Sequence, residues 1–137
     1  ADPSCRNQKS LKNRIMKKKE AGARFLQTQM VMEKENLIEF CEKISNPLEI
    51  PVIAGVFLLK SYKNALFINK YVPGAKIPEN ILKRLKDAKN PLEEGIQIAA
   101  EQAQDFFYIA NGIHLMAVKT EHLIPEILEK ANLNLEY

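Results

Sequence analysis

Residues 48–59 read LEIPVIAGVFLL and lead into Lys60. The run is almost unbroken in apolar residues, and Ile50, Val52, Ile53 and Val56 are β-branched. That length and that branching favour a strand over a helix. A strand with no polar alternation is expected to be buried on both faces, the habit of parallel sheets whose connections are helices. This stretch therefore points to an α/β fold.

The sequence on either side repeats the pattern. Residues 23–31, ARFLQTQMV, and residues 112–118, GIHLMAV, are two further short apolar runs that read as strands. Between them lie helical segments. In residues 10–22 Ser10 is a plausible N-cap, Leu11 and Ile15 fall one turn apart, and Gly22 is a stop. In residues 33–44 Leu37, Phe40, Cys41 and Ile44 share one face, and Asn46-Pro47 is expected to break the helix. Ser61 should cap a helix that runs to Pro73-Gly74, and Pro78 should open another. Asn90-Pro91 begins a longer helix, and residues 121–132 close the chain as a helix. The order is a helix followed by three strand–helix units, with extra helices before the last strand.

Three strands form a small sheet with two open edges, which proteins normally pair or cover. An eight-unit barrel typically needs about 250 residues, and this chain has 137. Two architectures fit: the last three units of a larger (β/α)8 TIM barrel, carrying a parallel three-stranded sheet, or a compact three-stranded α/β/α sandwich. The chain starts ADPSC without Met, which suggests a processed, excised or incomplete chain.

Composition narrows the class. The length suits one domain, spanning residues 1–137, and 46% apolar residues are normal for a globular protein. No apolar run approaches the roughly 20 residues that span a bilayer, and no apolar leader is visible; no membrane partner is expected. Cys5 and Cys41 lack disulfide-framework or metal-site spacing; they read as free thiols of a cytoplasmic protein. The formal charge of +3 is mild and no aromatic residues interleave the basic ones, so nucleic acid is not an expected partner. Oligomeric state is open, a homo-oligomer included.

Four features could carry chemistry. Gln27 and Gln29 share one face of the first strand, opposite Thr28, and Gln29 lies near the strand's C-terminal end, where barrel enzymes place their sites. On residue pattern alone, ordinary hydrogen-bond partners are the preferred explanation of these amides. The first helix is basic, and Lys18 falls in line with Leu11 and Ile15, so it must snorkel or meet an anion. Lys60, Ser61, Tyr62, Lys63 and Asn64 follow the second strand at the same rim. His114 is alone in an apolar strand and reads as a packed, hydrogen-bonded residue. No cluster suggests a metal site, and no GxSxG, P-loop or GxGxxG appears.

Taken together, KKKEAGARFLQTQ (residues 17–29), IPVIAGVFLLKSYKNALFINKYVPGAKIPENILKRL (residues 50–85), and GIHLMAV followed by IPEILEKA resemble methylenetetrahydrofolate reductase over nearly the whole chain. The resemblance implies the sixth to eighth strands of a (β/α)8 barrel with non-covalent FAD. It implies reduction of 5,10-methylenetetrahydrofolate to 5-methyltetrahydrofolate in one-carbon and methionine metabolism, with NAD(P)H or another reductant as electron donor. Gln29 then matches a pterin-binding glutamine. Asn64 and Lys119 (or Thr120) fall at folate-contacting positions, and Ile68 lies where some members set a phenylalanine against folate. Lys17 and Lys18 match a basic pair near the FAD phosphates, Arg14 an FAD-facing position, and Asp2 a position near the flavin. Leu11 and Lys19 depart from the family's usual residues. The acidic residue that assists folate protonation belongs to the preceding barrel half, so no catalytic residue is expected here, and the chain's partner is that missing half. By itself it is not expected to hold FAD. The alternative is a non-catalytic α/β remnant, or a subunit that completes a partner.

Overall fold

The computed structural model describes residues 1–133. The elements follow in the order α1 (Gln8–Glu20), β1 (Leu26–Met30), α2 (Lys34–Phe40), a π turn (Cys41–Ser45), α3 (Asn46–Leu48), β2 (Val52–Phe57), α4 (Tyr62–Tyr71), α5 (Glu79–Asp87), α6 (Pro91–Ile109), β3 (Gly112–Met116), a 3-10 turn (Glu121–Leu123) and α7 (Ile124–Ala131). The strands form one parallel sheet in the order β1-β2-β3.

Local chemistry explains most boundaries. Ser61 and Asn90 cap their helices as expected, each side chain accepting from the backbone N–H three residues on. At α1 the cap is Asn7, whose Oδ1 accepts from the Ser10 N–H at 3.0 Å, so the helix starts earlier than Ser10. Asn46-Pro47 does not break the second helical segment. The helix widens into the π turn, and Pro47 then falls in the first turn of α3, where its missing N–H is not needed. The segment ends at Glu49, in the left-handed conformation with φ 53°.

One face of the sheet is covered. Leu26, Val52, Ala54 and Val56 pack with Leu11 and Ile15 of α1, Leu37 and Phe40 of α2, Ile96, Ala103 and Phe106 of α6, and Ile127 of α7. Ile113, Leu115 and Ala117 join this core from β3 and the residue after it. A second cluster lies at the strands' C-terminal end, where α4 and α5 pack Ala65, Ile68, Ile81 and Leu85 against Leu59 and Ile98. Arg84 of α5 pairs with Glu94 and Glu101 of α6 at 2.7 and 2.8 Å, holding that layer in place.

The other face is bare, and this corrects the expectation of a doubly buried β2. Ile53 and Phe57 are only half-buried, and Gln27 and Gln29 are exposed. An unalternating apolar strand normally signals cover on both sides; here helices supply cover on one.

β1 carries an irregularity at the site of interest. Its register with β2 shifts between Gln27 and Met30. The buried Thr28 hydroxyl repairs the ladder: it accepts from the Gly55 N–H at 2.9 Å and donates to the Gln29 carbonyl at 2.7 Å. On the outer edge of β1, the Ala1 amino group donates to the Gln27 carbonyl at 3.1 Å and the Ala1 carbonyl accepts from the Gln29 N–H at 2.9 Å. This pair of bonds is a parallel bridge, so the sheet extends by one residue beyond β1.

Candidate functional site

Parallel strands place all their C-terminal ends on one edge, and the loops leaving that edge carry most of the expected site residues. Gln29 is exposed near the end of β1. The turn after α4 brings Gly74 against it. Gly74 has φ +79°, a conformation that favours glycine, and a Cβ there would lie 3.0 Å from both the Gln29 Oε1 and the Asp2 Oδ2. Residues 2, 29 and 74 therefore converge, with the Gln29 Oε1 and one Asp2 oxygen both against Gly74. The other Asp2 oxygen is occupied: Oδ1 accepts from the Ser4 N–H at 3.0 Å and the Ser4 hydroxyl at 2.6 Å, which fixes the carboxylate. Beside this point lies a cleft of about 180 Å³, walled by Asp2, Pro3 and Ser4, by residues 30–33 and Asn36, and by Gly74 and Lys76. Gln29 is not among its walls but adjoins two of them, Met30 in the chain and Gly74 in space.

The sheet's bare face continues from Gln29 across β2. Gly55 lies there, and a Cβ on it would meet the Gln29 carbonyl oxygen at 2.8 Å and the Met116 Cε at 2.9 Å. The close approach of β1 at the irregularity thus requires glycine.

The remaining expected residues are dispersed along the rim and α1. Asn64 lies in the first turn of α4, and its Oδ1 accepts from the Lys60 N–H at 3.2 Å, so half of its amide is already engaged. Lys119 is exposed after β3 with φ 62°, and its N–H donates to the Glu121 carboxylate. Ile68 is buried in the rim cluster and is not presented to a ligand, because its helix turns that position onto α5.

On α1, Arg14 and Lys17 line an open groove with Asn7, Lys9, Ser10 and Asn13. No carboxylate lines it, and neither cation forms an ion pair among the described residues. A groove of this composition suits an anion. Lys18 is exposed, not folded onto the apolar stripe with the buried Leu11 and Ile15. It acts on Ala1: burial lowers the pKa of the Ala1 amino group, Lys18 lowers it further, Asp2 opposes, and Arg14 again lowers it. Lys19 binds the Leu48 carbonyl and is structural.

Cys41 is buried, and burial together with Glu42 pushes its thiol pKa up. It has the profile of an inert core residue. Among the described residues no group of three or more His, Cys, Asp or Glu could hold a metal ion, and no helix is long and apolar enough to cross a membrane.

Sequence reasoning missed Gly74 and Gly55, whose roles depend on neighbours distant in the chain. It also read His114 as packed. His114 is half-buried on the bare face, because Ile113 and Leu115 take the covered one. The strand's two-residue period was the available signal.

A parallel α/β sheet with polar groups gathered at its C-terminal edge belongs to the class of folds that bind ligands beyond the carboxyl ends of their strands. Within that class the chain belongs to the methylenetetrahydrofolate reductase family, whose sequence model matches residues 1–132. It is 26% identical over 124 residues to methylenetetrahydrofolate reductase 1 of Schizosaccharomyces pombe, covering 85% of this chain and 20% of that protein. It is 27% identical over 128 residues to methylenetetrahydrofolate reductase 2 of Saccharomyces cerevisiae, covering 87% of this chain and 21% of that protein. The chain thus spans about a fifth of the length of these curated relatives. Its fold is similar to that of an uncharacterized protein from Clostridium thermocellum that binds two copies of 5-methyl-5,6,7,8-tetrahydrofolic acid. That similarity has a TM-score of 0.63 at 18% identity and covers 90% of this chain and 47% of the other.

Proposed function

We propose that residues 1–137 form one domain, the C-terminal part of a (β/α)8 barrel, and that its bare face and rim are one wall of the site where a flavoprotein reduces 5,10-methylenetetrahydrofolate to 5-methyltetrahydrofolate. The observation that carries this reading is the convergence of the Gln29 and Asp2 oxygens at the C-terminal edge of a sheet bare on one face. The parallel bridge at Ala1 supports a sheet that continues past β1, which is what a barrel needs.

Each group has a role that its chemistry allows. The amino-pyrimidine edge of a pterin presents adjacent N–H donors, and two neighbouring acceptor oxygens match them. Gln29 supplies one acceptor and retains a donor for the ring carbonyl. Asp2, held by Ser4, supplies a fixed negative charge beside it and stands where the flavin's edge is expected. Asn64 and Lys119 follow β2 and β3 at the same rim, and an amide N–H and an ammonium suit the polar tail of the folate. FAD fits the basic groove: Arg14 and Lys17 would hold its phosphates, with Lys18 beside them at the edge of β1. When bound, FAD supplies hydride from NAD(P)H or another reductant. This chain's residues bind, orient and neutralise; the proton donor belongs to the preceding half of the barrel. A cytoplasmic setting in one-carbon and methionine metabolism belongs to the proposal, as the family resemblance implies.

The test is complementation. The chain is co-expressed with the N-terminal barrel half of a family reductase, then assayed for retained flavin absorbance and for reductant-dependent folate turnover. Flavin retention with turnover is expected, and Gln29→Ala should depress turnover while leaving flavin bound. A folded chain that recruits neither flavin nor folate in this complex would favour the alternative, a non-catalytic α/β remnant.

A further inference from the structure

We infer that His114 is a second ligand-contacting residue of this site, meeting one edge of a fused planar heterocycle whose other edge meets Gln29. The inference rests on the folate and flavin reading above and adds a residue to it.

Three observations place His114 there. Side chains alternate along β3, and Ile113 and Leu115 pack into the helix-covered core, so His114 stands on the bare face. In the sheet register His114 pairs with Gly55. On the other side of Gly55 lies Gln29, whose carbonyl oxygen is 2.8 Å from where a Cβ of Gly55 would sit. The register partner of Gly55 on β1 is Met30, so Gln29 stands one residue off the His114–Gly55 row, and β1 and β3 are about 9 to 10 Å apart by the usual strand spacing.

The floor of that row is backbone. Gly55 carries no side chain, and the overhanging atom is the methyl of Met116, a side chain that moves aside easily and packs well on aromatic rings. Ile53 and Phe57 flank the glycine along β2 and are half-buried. Gly55 is buried beneath that methyl; with the methyl displaced, the glycine would offer a flat floor with apolar flanks and a polar residue on either side, a composition suited to a small planar ligand. A neutral imidazole offers one donor and one acceptor nitrogen, so it can match either kind of heterocycle edge. Pterin and isoalloxazine share that chemistry.

The chain has two histidines, which makes the test direct. His122 is exposed in the 3-10 turn after β3 and serves as internal control. The ring proton resonances of both are followed by NMR in the isotope-labelled chain, assembled with the unlabelled N-terminal barrel half of a family reductase, while 5-methyltetrahydrofolate is titrated in one arm and FAD in the other. The expected result is that folate moves the His114 resonance together with the Gln29 side-chain amide and leaves His122 still. His114→Ala should weaken folate binding about 10-fold, the loss of one hydrogen bond, and His114→Gln should restore part of it. Movement of His114 in the FAD arm instead would support the contact and assign it to the flavin. Movement of the Gln29 amide without His114 would overturn the inference and leave the site reading intact. If neither ligand moves either residue, the site reading falls, and the inference with it.

Discussion

On one face of the sheet Leu26, Thr28, Val52, Ala54 and Val56 lie under four helices and are at most 6% exposed. On the other face Gln27 and Gln29 are exposed, and Ile53, Phe57, His114 and Met116 are half-buried. The strands are the same, so backbone pairing serves both faces equally, and the faces differ in what covers them. The covered face supplies the burial that drives folding. The bare face keeps apolar residues beside amides and an imidazole, a mixture that a core would not tolerate without partners and that a ligand site requires. On the proposed reading, stability and recognition occupy opposite sides of one sheet.

Substitutions can break or sharpen that comparison. The largest effect is expected deep under the covered face: Phe106→Ala, at a side chain only 1% exposed, should lower the unfolding free energy by about 3–5 kcal/mol in a urea melt. A loss as small as that of a surface change would mean that this face is not the core. Next comes the boundary between the faces. Gly55→Ala forces a Cβ against the Gln29 carbonyl, which should cost about 1–3 kcal/mol. Met116→Ala in the same chain should relieve only the side-chain part of that clash. Thr28→Val removes the hydroxyl that accepts from the buried Gly55 N–H. A loss of about 1–2 kcal/mol is expected from the unpaired group, and amide exchange at Gly55 should accelerate. The smallest effect is expected for Phe25→Ala, at a residue 55% exposed just before β1, with stability unchanged to within about 0.5 kcal/mol. A large loss there would show that the bare face is covered in solution.

Much of the fold was legible before any coordinates. The three strands and the major helices lie where periodicity and capping put them, because hydrogen-bonded turns and caps involve residues three or four apart. The errors are also local in origin. Ser10 looked like the cap because it precedes Leu11, but Asn7 takes the orphan N–H groups one turn earlier. Pro47 looked like a breaker, yet a π turn moved it into a helix's first turn. Lys18, in line with Leu11 and Ile15, reaches water from the helix flank, the snorkelling outcome its spacing allowed. Ile68 fell at a family position of interest and is core. Strand parity set the face of Gln29 and its place near the strand's C-terminal end, but favoured ordinary hydrogen-bond partners for it; its meeting with Asp2 and Gly74 was not legible, since those residues are far apart along the chain.

The amino-acid sequence by itself determined the elements, their order, and which residues share a face of each strand, because these follow from short-range bonds and from the two-residue and 3.6-residue periods. Only the tertiary structure decided which face the helices cover. That choice turned LEIPVIAGVFLL from an expected doubly buried strand into one covered by helices on a single face. It depends on where distant helices pack, and parity is silent about which parity is inside.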